Sequence, residues 1–340
     1  PIPTRLEGPG LLHELISGPE TPGIALEYLD ANDEKSTLSY ADLHREAEHL
    51  ASRITEVNRR NSQKTPGIVP IYIPQCTSLY ISQLAILKSG AAFCPLNLDV
   101  PEDRLKFILQ DTSASILLTT TAMRSKLPDL ENVVILAVDD GKSGPNSSTT
   151  SGTLEHELAC PDTSSLAYIM YTSGSTGLPK AVCLSHRAVT QSLLAHNKFI
   201  PEFSRFLQFA SPTFDVSVFE IFFPWYRGST LVSVERSRLL SDLPGTITSL
   251  NIDAAELTPS VAASLVRTRD NVPTLRTLLT IGEMLNTPVI QQFGGSGERP
   301  GILYGMYGPT EAAIHCTLQP KFAADLPAGT IGIPLDTVSC

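Results

Sequence analysis

The residues Tyr171-Thr-Ser-Gly-Ser-Thr-Gly-Leu-Pro-Lys180 constrain this chain more than any other stretch. They follow Leu166-Ala-Tyr-Ile-Met170, a short apolar run that reads as a buried strand. Hydroxyls on Thr172, Ser173, Ser175 and Thr176 can donate to phosphate oxygens, and Lys180 adds a mobile positive charge. Gly174 and Gly177 let the backbone turn tightly and bring its N–H groups up to an anion. An ordinary Ser/Gly turn between two strands is the plain alternative. Spaced glycines, clustered hydroxyls and a terminal lysine together point instead to a nucleoside triphosphate. The stretch is not a Walker loop, because its lysine follows proline and Ala181-Val-Cys-Leu184 continues as a strand.

Apolar runs and amphipathic segments alternate on both sides of this loop. After an irregular lead-in over 1–35, with one short helix near 11–16, Ser39-Tyr-Ala-Asp42 reads as a capped helix start. Leu43, Ala47, Leu50, Ala51 and Ile54 then recur at helical spacing. Strands are expected over 67–73, where Pro70 suggests an edge or a bulge, and as buried runs over 115–119 and 133–137. Helices fit 78–88 and 102–110. Beyond the loop, a helix is expected over 186–199 and a buried apolar segment over 218–223. Strands fit 206–209, 230–234, 254–257, 275–281 and 302–304, with helices at 261–267 and 288–293. This pattern predicts an α/β fold with two packed, mainly parallel subdomains. The expected division is about 1–160 and about 166–340, with a Gly/Ser/Thr/Pro-rich flexible segment at 139–165.

A chain of 340 residues is long enough for two such layers. Its net charge of −10 argues against nonspecific nucleic-acid binding and against docking on an anionic membrane. The cysteines at 76, 94, 160, 183, 316 and 340 show no metal-ligand spacing, which suits reduced thiols in a cytoplasmic, soluble protein. No apolar stretch is long enough to span a bilayer.

Three further motifs carry chemistry. In Tyr307-Gly-Pro-Thr-Glu311, Gly308-Pro309 forces a turn. That turn exposes Tyr307 as a flat stacking surface, Thr310 as a donor and Glu311 as a hard carboxylate for Mg²⁺. In Ile281-Gly282-Glu283, the glycine would let a flat base lie on the backbone. In Thr213-Phe-Asp-Val-Ser217, Asp215 places a carboxylate in an apolar region, where it caps a helix or meets a substrate ammonium.

These motifs, in this order from about Leu38 to Leu335, resemble those of the adenylate-forming superfamily. Its members include acyl-CoA synthetases, luciferases and the adenylation domains of nonribosomal peptide synthetases. Phe214-Asp215-Val216-Ser217 is similar to the peptide-synthetase pattern, in which this aspartate grips an α-amino group. The resemblance implies amino-acid adenylation with ATP and Mg²⁺, then transfer to the phosphopantetheine thiol of a peptidyl carrier domain. It assigns Thr172, Ser173, Ser175, Thr176 and Lys180, with Gly174 and Gly177, to the phosphates. Tyr307, Gly308, Gly282 and Glu283 fall on the adenine side, Thr310 on a phosphate and Glu311 on the metal. Asp215, Val216, Phe219, Glu256, Leu279, Ile281, Met306, Ile314 and His315 match its amino-acid pocket. A buried Glu256 favours a side chain carrying a cation or hydrogen-bond donors, such as an ornithine-like or N-hydroxyornithine-derived one. The wider texture is similar to fungal hydroxamate-siderophore synthetases.

The sequence departs from the family at Ala181, where glycine is usual after the lysine. The family's ribose-binding aspartate and its C-terminal subdomain with a catalytic lysine find no match before Cys340. The chain is therefore expected to be the N-terminal core of an adenylation domain within a larger multidomain synthetase. An acyl- or aryl-CoA synthetase and a catalytically silent binding module are the alternatives.

Overall fold

Alternating apolar periods become alternating strands and helices. The computed structural model describes residues 4–60, 67–130, 132–140, 161–173, 179–297 and 299–338. The chain begins with β1 (Ile24–Leu29), β2 (Lys35–Ser39), α1 (Tyr40–Arg60), β3 (Ile68–Tyr72), α2 (Thr77–Lys88) and β4 (Ala92–Pro95). It continues through α3 (Glu102–Asp111), β5 (Ile116–Thr119), α4 (Thr121–Arg124), β6 (Val134–Ala137), β7 (Leu166–Ser173) and β8 (Pro179–Ser185). Next come α5 (His186–His196), β9 (Arg205–Gln208), α6 (Val216–Tyr226), β10 (Thr230–Val234), α7 (Arg236–Ser241) and α8 (Leu243–Ser249). The last elements are β11 (Ala254–Leu257), α9 (Pro259–Val261), β12 (Thr277–Thr280), α10 (Thr287–Phe293), β13 (Leu303–Tyr307), β14 (Thr317–Gln319) and β15 (Ile333–Pro334).

The strands form a nine-stranded sheet, ordered β15-β14-β13-β12-β11-β9-β10-β1-β2, and a six-stranded sheet, ordered β6-β5-β3-β4-β7-β8. From β13 through β1 the larger sheet is parallel, with antiparallel strands at both ends. The smaller one is parallel except for the β7–β8 hairpin. The expected α/β class, with two mainly parallel sheets, is what the chain forms.

Side-chain alternation along the strands sorts the core into layers. Ala255, Leu257, Leu278 and Leu303 face outward onto α8 and α10, where Ile247, Val289, Ile290 and Phe293 meet them. Leu279, Ile281, Tyr304 and Met306 face the opposite way, into a core shared with α1, α2, α5, α6 and the smaller sheet. A third cluster packs α3 against the far side of that smaller sheet. Trp225 of α6 is fully buried and donates from Nε1 to the Ala25 carbonyl at 2.9 Å, tying the central helix to β1. The start of α1 is capped as expected: Asp42 N donates to Ser39 Oγ at 3.1 Å, and Ser39 N donates back to Asp42 Oδ2 at 3.3 Å.

Several expectations change. Residues 24–39 are not an irregular lead-in but a hairpin whose β1 pairs with β10. The sheets also do not divide at the Ser/Thr-rich segment, because β7 and β8 complete the smaller sheet while β1 and β2 complete the larger. Strand β3 is interior rather than an edge. Its Gly67 and Ile71 carbonyls accept from Ala92 and Leu96 on the β4 side, so Pro70 faces β5. Pairing with β5 begins only at Ile71, so the donor that proline lacks is not needed there. Strand β6 is an edge strand in which only Ala137 is buried. Helix α5 stops at His196, and the expected helix at 261–267 is one turn of α9 followed by a π-turn over Ala262–Val266. Among the described residues no helix is long and apolar enough to cross a membrane.

Candidate functional site

In an open parallel sheet, chemistry gathers beyond the carboxyl ends of strands where the strand order reverses. The larger sheet reverses at β9: the chain steps from β9 to β10 on one side and returns to β11 on the other. The segment after β9 carries Asp215, and the turns after β12 and β13 carry Gly282 and Gly308. The topology therefore brings together motifs that lie far apart in the sequence.

The turns after β12 and β13 enclose a cavity of about 390 Å³. Ile281, Gly282, Glu283, Met306, Tyr307 and Gly308, each singled out from the sequence, all line it. Tyr307 is 50% exposed, leaving a ring face open for stacking. Gly282 has φ +87°, a left-handed conformation that strains any side chain. At Gly308 a Cβ would lie 2.3 Å from the Ile314 carbonyl oxygen, so only glycine lets the two turns meet. Glu283 accepts from Ser260 N at 3.1 Å and from its hydroxyl, which fixes this wall to α9. Sequence reasoning missed Met284 and Ile331, exposed apolar side chains on the same cavity.

The β7–β8 hairpin presents the start and end of the hydroxyl-rich stretch. Thr172 pairs with Lys180 and Ser173 with Pro179, and Lys180 is exposed. Thr172 Oγ1 donates to the Lys180 carbonyl at 3.5 Å, and Tyr171 donates to Asp111 Oδ2 at 2.6 Å, anchoring the hairpin to α3. Gly174, Ser175, Thr176 and Gly177 lie outside the described residues. Strand β8 packs against the 3-10 turn Thr310–Ala312. Lys180 and the exposed Glu311 therefore stand on adjoining elements. Glu311 makes no ion pair among the described residues, and no group of His, Cys, Asp and Glu there is placed to hold a metal by itself. A single open carboxylate fits Mg²⁺, which keeps several waters and takes its remaining oxygens from phosphate.

Past Glu311 the chain turns sharply inward. Ala313 and Ile314 both have positive φ, +56° and +78°, costing about 1–3 kcal/mol each. Ser192 of α5 donates its hydroxyl to the Ala313 carbonyl at 2.8 Å and so braces the turn. The result is that Ile314 and His315 are driven into the core, where both are buried.

There they meet the inner face of the sheet. Glu256, Leu279 and Tyr304 stand in one register row across β11, β12 and β13, with Ile281 and Met306 two residues further along. Asp215 caps α6, accepting from Val216 N at 3.0 Å, and is only 7% exposed. Among the described residues no cation pairs with it, and burial pushes its carboxyl above the ordinary range, opposed by the nearby His315. Val216 is half-buried beside it, and Phe219 packs its ring 4.9 Å from that of His315. Glu220, one residue on, accepts from Phe209 N, Ala210 N and Gln208 Nε2 at 2.8–3.1 Å. These bonds lock α6 to the end of β9 and fix where Asp215 sits.

Glu256 and His315 do not wait singly for a ligand. Glu256 Oε1 lies 2.8 Å from His315 Nε2, with both side chains fully buried. Burial pushes Glu256 well up and His315 down to about 3, so it favours the uncharged form of each. Glu256 Oε2 and His315 Nδ1 have no hydrogen-bond partner among the described residues. Sequence reasoning missed His196 of α5, whose ring lies 4.9 Å from both His315 and Phe219. Its one signal was helical spacing from Val189 and Leu193, which places all three on the buried face.

A family model described as "AMP-binding enzyme" matches residues 20–340. The chain belongs to the AMP-binding enzyme family. Over 337 residues it is 53% identical to nonribosomal peptide synthetase 2 of Gibberella zeae, covering 99% of this chain and 7% of that protein. It is 36% identical to the hydroxamate-type ferrichrome siderophore peptide synthetase of Schizosaccharomyces pombe, covering 93% of this chain and 6% of that one. The fold matches that of the nonribosomal peptide synthetase FmoA3 in its AMPPNP-bound form, with a TM-score of 0.80 at 22% identity. That match covers 98% of this chain and 35% of FmoA3. The chain thus spans less than a tenth of the curated relatives' length.

Proposed function

We propose that this chain is the nucleotide- and amino-acid-binding core of an adenylating domain in a larger peptide synthetase. The reaction joins an amino acid to ATP, giving an aminoacyl adenylate and pyrophosphate, before transfer to the phosphopantetheine thiol of a peptidyl carrier domain. The observation that carries this reading is Asp215: a buried carboxylate with no cation partner among the described residues, at the start of α6 just after β9, on the strand-order reversal whose neighbouring turns enclose the Tyr307 cavity. An α-ammonium at Asp215 would direct the substrate carboxylate back toward that cavity. AMPPNP in the structurally similar FmoA3 supports a nucleotide there.

In this reading Tyr307 stacks on adenine, with Gly282, Glu283 and Gly308 shaping the space around it. Thr310 and the hairpin hydroxyls of Thr172, Ser173, Ser175 and Thr176 donate to phosphate, and Lys180 neutralises charge as pyrophosphate separates. Glu311 would hold Mg²⁺, which supplies further charge neutralisation on the triphosphate. The substrate carboxylate is itself the nucleophile, so no activated side chain is needed. The siderophore synthetase among the relatives supports a substrate of the ornithine or N-hydroxyornithine class. Val216, Phe219, Leu279 and Ile314 would line its hydrocarbon stem, with Glu256 and His315 at its polar end.

The test is ATP–pyrophosphate exchange on the synthetase that carries this chain, screened over proteinogenic and ornithine-derived amino acids. Exchange that depends on one amino acid of the ornithine class supports the reading. Exchange with a carboxylic acid lacking the amine, or no nucleotide binding at all, refutes it.

A further inference from the structure

A cycle of polar side chains closes in the core where α2 meets the larger sheet. Gln208 and Ser233 are register partners on β9 and β10, and Tyr80 of α2 reaches both. Tyr80 Oη lies 3.0 Å from Gln208 Oε1 and 2.6 Å from Ser233 Oγ, and all three residues are fully buried. Gln75, just ahead of α2, donates from Nε2 to Gln208 Oε1 and, at 3.2 Å, to Ser233 Oγ. The far end of the Gln208 amide fixes which way it points. That end lies 2.5 Å from the Ala210 carbonyl, which only accepts, so it is the nitrogen. The same nitrogen donates to Glu220 Oε2 at 3.0 Å, where Phe209 N and Ala210 N also donate. The oxygen end needs donors, and Tyr80 and Gln75 supply them. One arrangement uses every proton in the cycle: Gln75 donates to Gln208 and Ser233, Ser233 to Tyr80, and Tyr80 to Gln208.

We infer that Tyr80 is a positioning residue for Asp215: its hydroxyl orients Gln208, Gln208 holds Glu220, and Glu220 sets where α6 begins. This rests on the adenylation reading and deepens it, since Asp215 is there the anchor for the substrate amine. Glu220 follows Asp215 by five residues on one helix, so fixing the first fixes the second. Stability alone does not call for the cycle, because apolar groups of the same shape in place of both partners of a buried hydrogen bond are close to neutral. What the cycle adds is orientation. Without the Tyr80 hydroxyl, Gln208 Oε1 keeps only the half-buried Gln75, and its nitrogen is held less firmly against Glu220. A charge-assisted contact depends steeply on distance and angle, so a small shift of Asp215 shows in the grip on an amine. The turns around the Tyr307 cavity leave β12 and β13, which carry no member of the cycle. The nucleotide end should therefore not feel the change.

The experiment is calorimetry of the full 340-residue chain with ornithine sulfamoyl adenosine and with its counterpart lacking the α-amino group. Tyr80→Phe keeps the aromatic ring and removes one hydroxyl. It should weaken the ornithine conjugate by about threefold to tenfold and the desamino conjugate by less than about twofold. Ser233→Ala breaks the same 2.6 Å bond but leaves Tyr80 donating to Gln208, so both ligands should move by less than about twofold. With Asp215→Asn already in place, Tyr80→Phe should change ornithine-conjugate binding by less than about twofold, because the two act through one contact. A Tyr80→Phe loss that is absent, or equal for both conjugates as a purely structural role would give, overturns the inference. So does an equally selective loss in Ser233→Ala, or the full Tyr80→Phe loss persisting beside Asp215→Asn. Gln75→Leu, at a half-buried position, removes the other donor to Gln208. Its loss should be selective for the amine in the same way, and a loss without that selectivity overturns the inference even if Tyr80→Phe does not fold. If the unsubstituted chain binds the desamino conjugate as tightly as the ornithine one, the adenylation reading fails and the inference falls with it.

Discussion

Replacing Asp215 by asparagine should move stability and binding in opposite directions. The side chain is 7% exposed and accepts one short-range bond, from Val216 N, which an asparagine oxygen can also accept. Burial raises its carboxyl pKa above the ordinary value. An acid whose folded pKa lies above its unfolded one destabilises the fold once pH exceeds that folded value, and the penalty disappears as pH falls below the unfolded value. At neutral pH, then, the amide should be neutral to stabilising, within about 1 kcal/mol of the unsubstituted chain. Binding is a different matter. A substrate ammonium facing Asp215 would form a buried pair, and breaking such a pair by removing one charge costs about 3–5 kcal/mol, roughly a hundredfold to several thousandfold in Kd. Denaturant unfolding measures the first quantity. Calorimetry with an aminoacyl sulfamoyl adenosine, against its counterpart lacking the α-amino group, measures the second. The desamino ligand should lose less than about threefold. Aminoacyl binding within about fivefold of the unsubstituted chain, or a stability loss above about 2 kcal/mol, would refute the reasoning.

Gly308→Ala places a methyl group 2.3 Å from the Ile314 carbonyl, so the Tyr307 turn must shift; nucleotide-analogue affinity should fall by about tenfold or more, as calorimetry would show. His13 and His186, edge-on with ring centroids 5.9 Å apart, are held near pKa 4 first by burial, so stability should be intact above about pH 6.5 and drain away toward pH 4. His186 alone would account for about 3 kcal/mol of that loss, and denaturant midpoints across the window should flatten in His186→Gln, which can still accept from Leu12 N. Exchanging Glu256 and His315 together for leucine should leave stability unchanged or raise it by about 1–4 kcal/mol, while Glu256→Leu alone should destabilise, because it orphans His315 Nε2 in the core. Thermal melts of the three chains would check that order.

The parts of the fold that were legible in the sequence are those with strong local signals. Strands β10 and β11 appear at the expected residues because each is a short apolar run between turn residues. The cap at Ser39 and the Tyr307 turn are likewise local chemistry. What stayed hidden depends on partners distant in sequence. Strand β1 owes its existence to a register with β10, Leu26 opposite Leu231, while nearby prolines made its surroundings read as irregular. Pro70 misled because the cost of a missing donor depends on which neighbour it faces, and that neighbour is set by the sheet order. The same limit applies to the site. Glu256 and His315 were each singled out from the sequence, but not their hydrogen bond, which joins β11 to the turn after Ala313. His196 was invisible because a histidine at helical spacing looks the same whether it packs as a core residue or faces a ligand.

The arrangement of Glu256, His315 and His196 is difficult to explain by stability alone. Two consecutive left-handed residues outside glycine, three unmatched polar atoms in the core and a buried carboxylate without a cation each raise the folded state's free energy by about 1–3 kcal/mol. They are not scattered. Asp215, Ala313, Ile314 and His315 lie on segments leaving the carboxyl ends of β9 and β13, Glu256 lies in β11, and His196 ends α5, all around the strand-order reversal where a ligand is expected. Rigid neighbours hold each one in place: Glu220 pins the start of α6 to β9, Ser192 pins the Ala313 turn, and Ser192 also orients His196 through its carbonyl. Helix α5 thus both braces the strained turn that follows Glu311 and supplies the histidine packed against His315.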